Sequence, residues 1–506
     1  MRYLTTDYLD RAARLYRDKT AVVDVDGRIT YGELIGRAKE IATFLLGQGS
    51  CYESVIIYAP KSVITTCALW GVAYAGCYYT FLDTNQPGER SKKIAERLRT
   101  RVVLTDASHY DKAKGLFVEC EVYNIAQIHR GIDENLLRDV KEGMYCQNPL
   151  YVNFTSGTTG DPKGVMVGHL SVVDFIDIFV ETFKISSEEV IGNQAPFDFD
   201  VSVKDIYSCA ATGATLVIIP REYFTKPKVI MDYLCEEKVT TLIWAVSAMC
   251  FLSTMKAFMY KVPSAIRKVM FSGEIMPVKH LTIWRQFLPD AMYVNLYGPT
   301  EITCNCTYYI LEHDRDYAGG IPIGKAFRNE KVYLLDENNE LISEPERQGQ
   351  ICVAGITLAL GYYGDVEETR ARFIPNPMNT LYEEKMYLTG DLARYDTEGL
   401  LYYIGRSDAQ IKHMGHRIEL SEIEFYANQV EQVERTCCVF WEDRQRLILF
   451  YAGEAVEEAF YGYLGEKLPT HMIPAQCVQV EEVPLTKNGK MDRKKLLQDF
   501  MAKQGV

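Results

Sequence analysis

The chain has 506 residues, 47% of them hydrophobic and 24% charged, an ordinary globular mixture that excludes disordered, collagen-like and disulfide-stapled classes and leaves room for about three folding units. Its formal net charge of −13, from 55 basic and 68 acidic residues, provides no overall positive field for nucleic acid or anionic lipid, so neither is expected as the main partner. The 14 cysteines include no CxxC pair and read as reduced thiols of a cytoplasmic protein, and no apolar run approaches the length of a membrane span.

In chain order, the amphipathic stretch 31–46 predicts a helix, the β-branched run 54–58 a strand, and residues 61–74 a second helix. Runs 215–219 and 239–244 predict strands, and residues 278–287 a helix. This alternation predicts an α/β fold with largely parallel sheets covered by helices. From about Gly349 the texture changes to short strand-like pieces, GQICVAG, YLTGDLARY and GLLYYIGR, which predict a small antiparallel or β-barrel-like subdomain. Beyond Arg406 an amphipathic segment, 421–430, precedes CCVFWED and RLILFYAG, an α+β pattern of roughly a hundred residues. The expected division is an N-terminal core, 1–407, and a small C-terminal domain, 408–506.

The strongest local signal is YVNFTSGTTGDPKG, residues 151–164, where a β-type run enters a loop carrying Gly157, Gly160 and Gly164. Glycines let backbone N–H groups close on phosphate oxygens, and Thr155, Ser156, Thr158, Thr159 and Lys163 add further donors. It is not a Walker A loop, which requires Lys-Ser/Thr opening a helix; here Pro162 precedes Lys163 and Gly164 follows it. On composition alone an ordinary surface turn competes equally.

Four further motifs follow in order: NLYGPTE at 295–301, YLTGD at 387–391, GRSDAQIKHMGHRIEL at 405–420 and NGKMDRKKL at 488–496. Together with TSGTTGDPKG they resemble the ordered motifs of adenylate-forming enzymes, and the chain is similar to adenylation domains of the nonribosomal peptide synthetase type over nearly all its length. The resemblance implies that the loop residues Thr155, Ser156, Gly157, Thr158, Thr159, Gly160 and Lys163 hold the β- and γ-phosphates of ATP. Thr300 would contact the α-phosphate, and Glu301 would bind Mg²⁺. Tyr297 would stack on adenine, Asp391 would accept the ribose hydroxyls, and Arg406 would stand beside it. Lys490 would bridge the substrate carboxylate and the α-phosphate in one orientation of a mobile C-terminal domain. Asp408 would be the hinge, and Gly415 would lie in the loop presented to the incoming pantetheine thiol.

The same resemblance places the substrate α-ammonium on Asp200, with Phe199 beside it. The pocket would be lined by Val201, Lys204, Trp244, Met270, Ser272, Gly273, Leu296, Cys304 and Asn305, with Trp244 making it shallow and Lys204 making it basic. Lys204, four residues after Asp200, is also a possible helical ion-pair partner for it. A lysine here points to an acidic side chain, whereas NQAPFDFDVSVKDIY and DAQIKHMGHRIELSEIE resemble D-alanine:carrier-protein ligases. The expected activity is ATP-dependent activation of an amino acid and its transfer to the phosphopantetheine of a separate carrier protein. An acyl-CoA synthetase is disfavoured by Asp200. A non-catalytic binding protein on the same fold is disfavoured by the presence of Glu301, Asp391 and Lys490.

Overall fold

The computed structural model describes residues 4–157, 161–406, 410–484 and 491–504. Two of the predicted helices begin with reciprocal caps. Thr30 accepts from the Glu33 amide while the Glu33 side chain takes the Thr30 amide, and Ser62 and Thr65 repeat the arrangement, so Tyr31–Gly47 and Val63–Tyr74 start with their first donors satisfied. The strand between them, Ser54–Tyr58, is buried at every residue, as expected of a central parallel strand covered on both faces.

Among the described residues, two large sheets carry the α/β part. In the nine-stranded sheet, six consecutive strands run parallel, in the order Met292–Tyr297, Lys268–Ser272, Thr241–Ala245, Val190–Asn193, Thr215–Ile218 and Thr20–Val23, with antiparallel strands added at both edges. The seven-stranded sheet is parallel through Tyr78–Leu82, Ser54–Tyr58, Val102–Thr105 and Glu121–Asn124. The region after Gly349 joins a five-stranded antiparallel sheet built around Gln348–Gly355 and the long strand Lys385–Tyr395. The C-terminal stretch has a two-stranded ribbon, Gln410–His413 with His416–Glu419, and a three-stranded sheet with helices.

The chain divides into two compact units. One comprises Met1–Thr84, Leu98–Asn153 and Gly164–Ser407; the other comprises Asn85–Arg97, Phe154–Lys163 and Asp408–Val506. The second unit therefore includes two segments from the first 407 residues, tied to the C-terminal stretch by the buried Arg90–Glu422 ion pair at 2.6 Å. No helix among the described residues is long and apolar enough to cross a membrane.

Candidate active site

The most closed polar cluster is formed by strand register. Asp391 and Arg406 are direct partners in the antiparallel pair of Lys385–Tyr395 with Leu401–Arg406, and Arg406 Nη1 lies 2.7 Å from Asp391 Oδ1. The second carboxylate oxygen accepts from the Tyr297 hydroxyl at 2.6 Å, and Arg406 also donates to the Thr389 carbonyl. Both side chains of the ion pair are withdrawn from water, so each charge depends on the other. Burial, then the Asp391 charge, drive the Tyr297 hydroxyl well above its ordinary value, so it remains a donor.

Tyr297 ends the strand Met292–Tyr297, and the chain turns at Gly298. A Cβ on Gly298 would lie 2.4 Å from the Asn305 Cα, so only glycine lets the two backbones approach this closely. Thr300–Ile302 form a short 3₁₀ turn, after which Thr303 and Cys304 both take positive φ. Glu301 is buried and accepts from the Tyr362 hydroxyl at 2.7 Å, with the Tyr387 hydroxyl 3.4 Å beyond.

The tight turn brings Cys304 and Asn305 against the head of the helix Val201–Thr212. Cys304 Sγ donates to the Asp200 carbonyl at 3.2 Å. Lys204, fully buried, donates to Asn305 Oδ1 at 2.7 Å. Its hydrogen bond thus goes to the amide of Asn305 rather than to the carboxylate suggested by helical spacing. The next residue, Asp205, accepts from the Asn193 side chain at 2.7 Å, and burial pushes its carboxyl up to about 7.

Met270, Leu296 and Cys304 pack in the same core as Val203 and Ile206 of the Asp200 helix, while Val201 and Ser272 are buried nearby in sequence. Trp244 does not join them. It packs with Phe224 and Trp284 in the other large core, and its indole donates to the Gly192 carbonyl. The reason is strand parity: Ile243 pairs with Met270 and Trp244 with Phe271, so Trp244 and Met270 point to opposite faces of the sheet. The expectation that Trp244 makes this pocket shallow is corrected accordingly.

In the second unit, Ser156 and Gly157 follow the strand Pro149–Thr155. Ser156 donates to the Arg417 carbonyl and accepts from the Glu419 amide, and the Gly157 amide donates to Glu422 Oε2 at 3.1 Å. A Cβ on Gly157 would meet the Asp161 carbonyl oxygen at 2.0 Å. Burial pushes the Glu422 carboxyl up, partly offset by Arg90. Gly415 occupies the two-residue turn of the ribbon. Thr158, Thr159, Gly160, Asp408 and Lys490 lie outside the described residues.

Tyr362, Asn193, Asp205, Arg90 and Glu422 did not emerge from sequence reasoning as site residues. Asp205 and Glu422 stand inside quoted motifs, VSVKDIY and RIELSEIE, where each is an acid at a core-facing position of a helix; that placement was the available signal.

A family model described as AMP-binding enzyme matches residues 9–363. The chain belongs to this family. It is 30% identical over 499 residues to Tyrocidine synthase 1 of Brevibacillus parabrevis, covering 96% of this chain and 44% of that protein. It is 33% identical over 488 residues to Bacitracin synthase 1 of Bacillus licheniformis, covering 95% of this chain and 9% of that protein. The chain thus spans less than half the length of these curated relatives. Among solved structures, holo-PA1221, an NRPS protein containing adenylation and PCP domains bound to a vinylsulfonamide inhibitor, superposes with a TM-score of 0.86 at 26% identity, covering 98% of this chain and 84% of that one. The Vibrio cholerae adenylation domain AlmE, in complex with glycyl-adenosine-5'-phosphate, gives a TM-score of 0.86 at 20% identity, covering 99% and 98%, and so shares the fold. This AMP-binding enzyme is of the adenylate-forming, nonribosomal-peptide-synthetase type.

Proposed function

We propose that this chain activates an amino acid as an aminoacyl-adenylate and then transfers it to the phosphopantetheine thiol of a separate carrier protein. In the first step a substrate carboxylate oxygen bonds to the α-phosphorus of ATP and pyrophosphate leaves. In the second, the thiol sulfur attacks the acyl carbon and AMP leaves. The observation that carries the reading is Asp200, a buried carboxylate at the head of a helix beside Cys304. A carboxylate at that place can accept from an α-ammonium, a group that an amino acid carries and a fatty acid lacks.

The remaining roles follow the motif resemblance and the chemistry of each group. Asp391, held by Arg406 and Tyr297, presents carboxylate oxygens suited to ribose hydroxyls. Glu301 would hold Mg²⁺: one protein carboxylate sharing the ion with nucleotide phosphates is a usual magnesium donor set, and the bound ion would offset phosphate charge. Lys490 would neutralise charge between carboxylate and α-phosphate. Residues 408–506 would act as the moving lid, hinged at Asp408 and presenting Gly415 to the thiol.

The side chain of the substrate is read at Lys204. An ammonium whose partner is the neutral Asn305 amide has donors to spare for a carboxylate, which favours aspartate or glutamate. A small substrate such as D-alanine is the competing reading, with Asp205 supplying the counter-charge. ATP–pyrophosphate exchange with a panel of L- and D-amino acids and fatty acids tests both. Exchange dependent on an amino acid supports adenylation; exchange with fatty acids only, or none at all, overturns it. Strong D-alanine exchange with none from acidic amino acids selects the second reading.

A further inference from the structure

Lys61 lies between the strand Ser54–Tyr58 of the seven-stranded sheet and the helix Val63–Tyr74. Its ammonium reaches the nine-stranded sheet, where four acceptors converge on it: the Asn193 carbonyl at 3.1 Å, Asn193 Oδ1 at 2.9 Å, the Gln194 carbonyl at 2.7 Å and the Ala195 carbonyl at 3.3 Å. Three consecutive carbonyls aimed at one point repel one another unless a cation sits between them; the Asn193 carbonyl also accepts from the Ile219 amide, and the Gln194 and Ala195 carbonyls look to the lysine. These carbonyls begin the segment that leads from the strand Val190–Asn193 to Asp200. The Asn193 side chain, gripped by Lys61 at its oxygen, donates from its nitrogen to Asp205 on the Asp200 helix. One lysine therefore fixes both ends of the segment that presents Asp200, the backbone at its start and the helix at its finish.

We propose that Lys61 is a positioning residue for amino-acid recognition, tethering the 193–200 segment so that the Asp200 carboxylate meets the substrate ammonium. The inference rests on the reading of Asp200 given above. Burial is the largest influence on the Lys61 ammonium and takes it down to about 7, against the attraction of Asp205, Glu222 and Asp198. Holding a cation there opposes its hydration, which a merely decorative contact does not do. None of these groups belongs to the Asp391–Arg406–Tyr297 cluster, so loosening the tether is expected to act on the amino acid and leave ATP alone.

The test is steady-state exchange kinetics of the Lys61→Met variant, using ATP and the amino acid that gives the strongest exchange in the panel. The expected result is an amino-acid KM raised about ten-fold or more with the ATP KM within about two-fold of native. An unchanged amino-acid KM, or equal rises in both constants, overturns the proposal. If Lys61→Met does not fold, Lys61→Arg carries the same comparison, with a rise of about three-fold or more expected for the amino acid and overturn by an unchanged KM. Asp200→Ala is measured alongside. If that variant still activates the amino acid, the Asp200 reading fails; if it does not, and Lys61→Met behaves as native, the Lys61 proposal fails by itself.

Discussion

Arg406 and Lys204 are both cations withdrawn from water, yet their partners differ in charge. Arg406 meets a carboxylate whose other oxygen is taken by a tyrosine hydroxyl, and it donates again to a backbone carbonyl. Among the described residues Lys204 donates to an amide, and it acts through its charge on Asp205, a carboxyl that burial pushes up to about 7. The first site is electrostatically closed before any ligand arrives, which suits a platform that must hold its shape while nucleotide comes and goes. The second is under-compensated, which suits a place where the ligand completes the charge balance.

The sharpest way to break this comparison is to delete one partner from each pair. Asp391→Ala strands a buried guanidinium, and stability is expected to fall by roughly 3–5 kcal/mol, read from the midpoint of urea unfolding. Lys204→Met strands only the Asn305 amide oxygen, and removing a buried charge offsets part of that, so a change within about 1.5 kcal/mol is expected. Equal destabilisation of the two variants would show that the two sites are not differently compensated.

Next in size is Asp200→Ala. If the acid holds the substrate ammonium, kcat/KM for the amino acid should drop by about two to three orders of magnitude, near 3–4 kcal/mol, with ATP affinity retained by equilibrium binding. Near-native activity would place the ammonium elsewhere. The same Lys204→Met protein then sharpens the under-compensated site. The preference for acidic over small neutral amino acids is expected to swing by about 10- to 100-fold towards the neutral ones, worth roughly 1.4–2.7 kcal/mol. An unchanged preference would show that Lys204 serves the fold and not the substrate.

The closed site was the more legible of the two in the sequence. Asp391 and Arg406 sit in motifs of fixed spacing, and antiparallel pairing brings them opposite each other. The helices 31–46 and 278–287 were likewise readable, because amphipathic periodicity is a local property. Trp244 was misplaced because strand parity depends on register, and a one-residue offset flips the face; Ala245, the next residue, pairs with Ser272. Asn193, Lys61 and Arg90 were invisible for a different reason. Their partners are a dozen, and in two cases more than a hundred, residues away in sequence or supplied by backbone carbonyls, and no local pattern records such a meeting.

The smallest effect concerns the counter-charge itself. Burial, opposed by the Asn193 hydrogen bond and the Lys204 and Lys61 charges, pushes the Asp205 carboxyl from its ordinary 3.8 up to about 7. Between those two values the folded protein holds a proton that the unfolded chain has released. The contribution of Asp205 to stability is therefore fully present below the lower value and is lost as pH rises, by about 1.4 kcal/mol per pH unit, levelling off above the upper one. Asp205→Asn keeps the shape and removes the titration. Native and variant proteins unfolded in urea at pH 5 and pH 6 should differ in their pH dependence by about 1.4 kcal/mol, with the variant gaining relative to native at the higher pH. If the two proteins lose or gain stability in parallel, Asp205 is ionised throughout this range. Lys204 would then have a permanent counter-charge, and the contrast with Arg406 would collapse into two saturated pairs.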